Sequence, residues 1–234
     1  MALAGTGAIC IWNDIIADGR DEFYAWHLLE HIPERVAIPG FRRGRRYIAC
    51  DAATSPEFFT LYETATPAVL TGADYLARLN APTAWTKTAT QGFRKTSRAL
   101  TEVHASLGPG PGAHLAALRF GFNRDAERAA LAVQSPVILA KIAAMPQITG
   151  AHLCLTDNSA SAQKTTESRD RTDIMAAPDG VILIEGCNQA PVQRAATALA
   201  ADLGPLAGAI IAIGHYRLEH LRDTSEVVTL QRPQ

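Results

Sequence analysis

Apolar residues recur along this chain in short runs that are bounded by turn-forming residues. Runs rich in Ile, Val and aromatic residues are typical of buried β-strands. Gly, Pro, Asp and Asn between the runs mark the turns that separate one strand from the next. The pattern predicts strands over residues 8–16, 45–50, 57–64, 93–107, 114–122, 148–157, 180–187 and 209–221.

Segments with a helical period lie between these strands. The first is predicted from Glu22, with Asp21 as its N-cap, because a carboxylate can accept from the free amides of the first turn. Pro33 should end or kink this helix near Ile32, since proline removes a backbone donor. Further helices are predicted from Thr66-Pro67 to about Leu79, around Trp85, from Asn123 or Asp125 to about Met145, and from Pro191 to about Leu203.

The sequence GPGPG at residues 108–112 divides this pattern into two halves. Neither regular structure continues through five such residues, so they form a linker. Each half runs strand–helix–strand–strand–helix–strand, which is the ferredoxin-like arrangement. A four-stranded sheet with both helices on one face leaves its other face bare, and two copies can bury those faces against each other. The predicted fold is therefore α+β, with two tandem ferredoxin-like (βαββαβ) repeats that form an intrachain α/β barrel.

The predicted boundaries follow from the linker. Residues 1–107 form the first repeat, 113–222 the second, and 223–234 a C-terminal tail. The second repeat also contains a long polar connection, residues 158–179, between two of its strands. Its composition indicates a mobile, solvated loop, and a lid over a site is the alternative.

Composition restricts the classes of partner. With 234 residues, 47% of them hydrophobic, the chain can bury a core, and a formal net charge of −1 lacks the basic excess of a general nucleic-acid binder. No positive residue precedes the first apolar run and no run approaches the roughly 18 residues of a membrane span, which argues against a signal peptide and a membrane partner. We therefore expect a cytoplasmic protein with a small-molecule ligand. A homodimer of the two-repeat chain is a further expectation, because covalent pairing of repeats does not cover every sheet edge.

The cysteines agree with a reducing compartment. They lie far apart in apolar, strand-like surroundings, and no pair has the spacing of zinc ligands. We therefore predict reduced, buried thiols. The four are Cys10, Cys50, Cys154 and Cys187.

Candidate chemistry is concentrated in residues 21–47. His27 and His31 lie one helical turn apart and can face one pocket, and imidazole is suited to proton transfer near neutral pH. The alternative is a surface histidine and a core histidine bonded to a carbonyl. The five residues from His27 to His31 also fit the H-x-x-E-H pattern of zinc enzymes. We predict no metal, because Pro33 shortens the helix that would carry the ligands.

Aromatic and arginine side chains complete the predicted site. Two converging arginines among the four within residues 42–46 would grip a carboxylate, tyrosines would donate hydrogen bonds, and tryptophans would form walls. The alternatives are a solvated start of a strand for the arginines and simple packing for the aromatic residues. The predicted substrate-binding residues are Trp26, Arg45, Tyr47, Tyr62 and Trp85.

The segment YAWHLLEHIPERVAIPGF resembles the helix-one signature of the EthD-like branch of the dimeric α/β-barrel superfamily. His31, Pro33 and Pro39-Gly40 match this signature, while Tyr24 and Trp26 depart from its aromatic pair by one residue. The second half carries QSP at residues 134–136, where the histidine-containing turn would be. The resemblance implies a fused pair of repeats, in which the first keeps the site and the second serves as its partner.

The resemblance also implies a range of activities. Relatives include cofactor-free oxygenases, lactone isomerases, polyketide cyclases, decarboxylases and haem-handling proteins. The expected function is a cofactor-free enzyme of cyclase, isomerase, decarboxylase or oxygenase type. It would act on a small aromatic or polyketide-like acid, with His31, helped by His27, moving a proton. The alternatives are a non-catalytic binder of haem or a hydrophobic metabolite, and a structural repeat protein; haem is the one cofactor considered.

Overall fold

The computed structural model describes residues 2–169, 171, 173–203 and 209–224. The predicted C-terminal tail lies outside the described residues except for residues 223 and 224. In the described part, the strands are β1 (Gly7–Ile15), β2 (Phe41–Ala49), β3 (Phe58–Thr64), β4 (Phe93–Leu107), β5 (His114–Gly121), β6 (Ile148–Thr156), β7 (Gly180–Gly186) and β8 (Ala209–Asp223). The helices are α1 (Arg20–Trp26), α2 (Ile32–Val36), α3 (Ala73–Asn80), α4 (Ala84–Ala89), α5 (Asp125–Ala143), α6 (Asn158–Ala162) and α7 (Gln189–Leu203).

The eight strands close a barrel in the order β1-β3-β2-β8-β5-β7-β6-β4. Every pairing within it is antiparallel. Each repeat forms one four-stranded sheet, and the sheets join where β2 pairs with β8 and β4 pairs with β6. This confirms the predicted α+β fold of two tandem ferredoxin-like repeats. The barrel closes because each sheet has one face without helices, which the other sheet covers.

Aromatic side chains fill the middle of the barrel. Successive strand residues point to opposite faces, so one face of each strand contributes to the barrel interior and the other faces the helices. Phe59 lies at the centre, with ring-centroid distances of 5.0 Å to Trp12, 5.7 Å to Tyr47 and 5.6 Å to Tyr216. Tyr216 belongs to the second repeat, and the two halves therefore share one interior.

An ionic network also crosses between the repeats inside the barrel. Arg45 on β2 lies 2.8 Å from Glu63 on β3 and 2.7 Å from Glu185 on β7, and His152 on β6 lies 3.4 Å from Glu185. All four side chains are buried. Burial would raise the pKa of Glu185, but Arg45 and His152 outweigh that effect and lower this pKa to about 2.

The first helical region differs from its prediction. α1 begins at Arg20 with Gly19 as its N-cap, so Asp21 lies in the first turn and does not cap the helix. Of the two predicted effects of Pro33, the end of the helix does not occur: residues 27–31 form a π-helical turn, in which the Ile32 amide donates to the His27 carbonyl, and the helix continues to Val36. The wider turn accommodates the proline within a continuous helix over residues 20–36. Such turns occur frequently at functional sites.

Two other predictions also change. The helix predicted from residue 67 is interrupted: a 3₁₀ segment, Pro67–Thr71, precedes α3.

All four cysteines are free, but only Cys10 and Cys154 are buried; Cys50 is half-buried and Cys187 is exposed. The prediction of burial is wrong for Cys187, which follows the end of β7 where the chain leaves the barrel. None of the described helices combines the length and the apolar character needed to cross a membrane.

Candidate functional site

A cavity of about 570 Å³ lies between the sheet of the first repeat and the helix over residues 20–36. This volume falls within the usual range for small-molecule sites. Strands β1 and β3 of the sheet contribute apolar and polar side chains, and the helix contributes four side chains. The lining includes Ile9, Ile11, Asn13, Thr60 and Tyr62 from the strands, and Trp26, His27, His31 and Arg35 from the helix.

In the second repeat, the described residues 158–169, 171 and 173–179 cover this cavity, and we call them the cover segment. Asp173 accepts from the Thr96 amide at 3.0 Å, and the Met175 amide donates to the Thr96 carbonyl at 2.8 Å. The Glu167 amide donates to the Leu79 carbonyl at 3.0 Å. Most of its described side chains are partly or fully exposed, in line with the predicted solvated loop, and these hydrogen bonds anchor its backbone to the first repeat. The second repeat completes the cavity of the first.

The two histidines stack within a column of aromatic rings. The ring centroids of His27 and His31 lie 5.5 Å apart with an interplanar angle of 19°. Phe23 stacks on His27 at 5.0 Å, and Trp26 packs against His31 at 4.2 Å. Both histidines are buried. The π-helical turn carries both of them, and together with the packed aromatic rings it fixes their orientation at the cavity wall.

Both histidines are neutral at pH 7. Burial lowers the pKa of His27 well below its ordinary value, and Arg46 lowers it further. Burial likewise lowers the pKa of His31, followed by the charge of Arg35. Among the described residues, none forms a hydrogen bond with His31 Nδ1. A neutral imidazole with an unpartnered nitrogen can accept a proton or a hydrogen bond from a ligand.

Two further cavity residues have buried polar atoms without partners in the described part of the chain. These atoms are Tyr62 Oη and Asn13 Nδ2. Burial raises the pKa of Tyr62, so its hydroxyl stays protonated and can donate. An unpaired buried polar group costs about 1–3 kcal/mol. A ligand that bonds these atoms would recover that cost.

Cationic side chains outnumber carboxylates at the cavity. Arg35 lies four residues after His31, is almost fully buried, and pairs with Glu34 at 3.2 Å and with Glu167 of the cover segment. Arg171 lies 3.4 Å from the same Glu167. The excess of positive charge favours an anionic ligand. The lining cations are Arg35, Arg98, Lys164 and Arg171, and the lining carboxylates are Glu167 and Asp179.

The structure brings together some of the predicted site residues and separates others. Four of the seven predicted residues line the cavity: Trp26, His27, His31 and Tyr62. Arg45 and Tyr47 lie on the opposite face of the sheet, inside the barrel, and are not cavity residues. Strand alternation explains this correction, because residue 46 rather than residues 45 and 47 faces the helix. Trp85 packs outside the lining, where its indole nitrogen donates to Glu22.

The predicted arginine cluster does not converge on the cavity; Arg43 and Arg45 instead contact the same carboxylate, Glu63. Arg42 is exposed, Arg43 pairs with Glu63 at 2.7 Å, and Arg46 lies 3.2 Å from Glu219. The cavity arginine on this side is Arg35, which the sequence argument missed. Its position four residues after His31, on the same helix face, is the signal that would have identified it.

The glutamate of the H-x-x-E-H string does not join the two histidines at the cavity. Glu30 accepts from Thr83 Oγ1 at 2.6 Å and does not line the cavity. Within the described ranges, no group of three or more His, Cys, Asp or Glu residues is placed to hold a metal ion.

The closed barrel and the covered cavity define a fold class, namely an α/β barrel of two ferredoxin-like repeats. The fold agrees with the resemblance, while membership of the superfamily and of its EthD-like branch stays a prediction. No protein-family model matches the chain, and no curated protein matches it.

Solved structures share the fold at very low sequence identity. An anthrone oxidase-like protein aligns with a TM-score of 0.64 and 10% identity over 97% of this chain and 96% of that one. A candidate monooxygenase from Lactobacillus acidophilus aligns at 0.56 and 9%, over 94% and 97%. A heme-binding protein from Thermus thermophilus aligns at 0.51 and 9%, over 92% and 91%. At these identities, the comparisons support the fold alone.

Proposed function

We propose that the first-repeat cavity binds a flat aromatic compound and that His31 removes a proton from it without an organic cofactor. The neutral His31, with an unpartnered Nδ1 beside the 570 Å³ cavity, is the observation that carries this proposal. The stacked aromatic residues provide walls for a flat ring system. A protein of the same fold is named as anthrone oxidase-like, and anthrone is a flat tricyclic compound, which makes it the first ligand to test.

The residues divide the proposed chemistry between them. His31 accepts the proton, because its neutral form is a base at pH 7. The Tyr62 hydroxyl stays protonated and donates to the oxygen on which negative charge develops. The cationic lining stabilises that anion. His27 stacks on His31 and holds its orientation.

Anthrone is a suitable probe for the proton transfer. We expect the wild-type protein to accelerate the exchange of its methylene protons in D2O without oxygen, measured by NMR. The variant His31→Gln should lower this rate by roughly 10²–10⁴-fold, the usual contribution of a general base. An oxygen electrode then tests whether the anion is oxidised to anthraquinone, a reaction that consumes one O2 and releases one H2O per anthrone.

The matched control is His104→Gln, which changes an exposed histidine of β4. Binding is measured separately, by quenching of tryptophan fluorescence, because Trp26 lines the cavity. If anthrone binds with saturation but exchanges at the same rate with the wild-type protein and with His31→Gln, the proposed role of His31 is wrong.

The second candidate function is haem binding. Two observations favour it: the shared fold with a heme-binding protein, and the neutral state of His31, since neutral imidazole is the form that binds a metal. The residues fit this group, because the unpartnered Nδ1 of His31 would hold it between the apolar side chains of Ile9, Ile11 and Trp26. The group would supply redox chemistry. A Soret band that appears when the protein is titrated with hemin, and that is lost in His31→Gln, would support this candidate over the first.

A further inference from the structure

We infer that Arg35 is the recognition residue for an acidic group on the ligand, and that Glu167 of the cover segment occupies its guanidinium until the ligand arrives. This inference rests on the proposed function, since it names the substrate class of the same cavity. The ligand would be a flat aromatic compound that carries a carboxylate. The carboxylate would take the place of the Glu167 side chain on Arg35.

The position of Arg35 supports this role. Its side chain is 3% exposed, it lines the cavity, and it lies four residues after His31 on the same helix. A guanidinium binds a carboxylate through two parallel hydrogen bonds, so it can recognise this group specifically. A buried arginine also requires a partner, because an unpaired buried charge is strongly destabilising. A ligand that displaces Glu167 without supplying a negative charge therefore leaves Arg35 with one carboxylate, Glu34, in place of two.

Glu167 is placed to make such an exchange. It belongs to the second repeat, and its Oε2 accepts from Arg35 while its Oε1 lies 3.4 Å from Arg171. When a ligand carboxylate takes Arg35, Glu167 keeps Arg171 as its partner. Both buried arginines stay paired throughout, and Glu34 continues to contact Arg35 at 3.2 Å. A neutral ligand offers no such exchange, so the arrangement discriminates in favour of acids.

The experiment compares two probes of the same shape, 2-naphthoate and its neutral amide 2-naphthamide. Their affinities are measured by tryptophan fluorescence for the wild-type chain and for Glu167→Gln, with Glu167→Ala as a second variant. In Glu167→Gln, naphthoate no longer has to break the charge-assisted hydrogen bond between Arg35 and a carboxylate of the protein. Naphthoate binding should therefore strengthen by roughly tenfold, the effect of one such bond of modest strength. Naphthamide should bind as it does to the wild-type protein.

The matched control is Asp173→Asn, which removes a charge from the same cover segment. Asp173 accepts from the Lys95 amide at 2.9 Å rather than from Arg35. Naphthoate affinity should therefore rise in Glu167→Gln and not in Asp173→Asn.

The outcomes separate this inference from the proposed function. If naphthamide binds normally but naphthoate affinity is unchanged or lower in Glu167→Gln, the exchange is wrong and the cavity proposal stands. If neither probe binds the wild-type protein, both proposals are wrong.

Discussion

The two repeats share one element order but differ in the space between helices and sheet. In the second repeat, α5 and α7 press apolar side chains directly onto the sheet. In the first, the helix over residues 20–36 carries histidines and aromatic residues around a cavity of about 570 Å³. The packed residues of the second repeat include Leu131, Leu139, Ile142, Val192, Ala195, Ala196, Leu199 and Leu203.

A local difference in the helices accompanies this contrast. α5 runs uninterrupted from Asp125 to Ala143 in spite of Pro136, whereas the first-repeat helix contains the π-helical turn before Pro33. Gln134, in the segment that takes the place of the histidine-containing turn, is exposed, whereas His31 is buried. One copy thus provides packing and the cover segment, and the other provides the cavity. A duplicated fold can divide stability and binding between its copies in this way.

The largest expected effect tests what ties the repeats together. Arg45→Met should lower the free energy of unfolding by about 3–5 kcal/mol, because it leaves the buried carboxylates of Glu63 and Glu185 without their shared cation. Urea denaturation measures this loss. The exposed Arg42 provides a control, since Arg42→Met should change stability by less than about 0.5 kcal/mol.

The same network has a pH signature. The pKa of Glu185 is lowered to about 2, so its stabilising contribution is fully present above its ordinary pKa and is lost as the pH falls towards 2. Arg45→Met should abolish most of this acid dependence. If Arg45→Met lowers the free energy of unfolding by less than about 1 kcal/mol at neutral pH, the network does not tie the repeats together.

A matched pair of core substitutions compares the two helix–sheet layers directly. Leu139→Ala in the packed second repeat should cost about 2–5 kcal/mol of unfolding free energy. Leu79→Ala, on the cavity wall of the first repeat, should cost less than half as much, because one side of Leu79 faces the cavity and has fewer protein contacts to lose. Equal losses in urea denaturation would contradict the contrast between the layers.

The smallest expected effect concerns the buried histidines. The folded-state pKa of His31 is lowered, so the unfolded chain binds a proton below about pH 6.5 while the folded chain does not. Stability is therefore full above that pH and falls below it. Between pH 6.5 and 5.5, the wild-type protein should lose about 1 kcal/mol of unfolding free energy through His31, and His31→Gln should not show this loss.

Thermal unfolding at several pH values measures this difference between the wild-type protein and the variant. His104→Gln, which changes an exposed histidine, provides the comparison. If the stability profiles of the wild-type protein and His31→Gln run parallel below pH 6.5, His31 is not buried as a neutral group.

The sequence by itself determined the order of the elements and the pairing of two repeats. Alternating apolar runs and the GPGPG linker are local signals, and strand bounds such as Phe93–Leu107 match them. The sequence also placed His27 and His31 on one helix face, since their spacing matches the helical period. These features depend on neighbours along the chain, which the sequence displays.

Only the tertiary structure decided which chemical groups share the cavity. Arg45 and Arg46 are adjacent in sequence but lie on opposite faces of the sheet, and no local signal fixes which of them faces the helix. Glu167 lies 132 positions from Arg35, yet it contacts this residue across the repeat boundary. The π-helical turn likewise forms within packed surroundings. Contacts of this kind depend on barrel closure, which brings together segments that are distant in sequence.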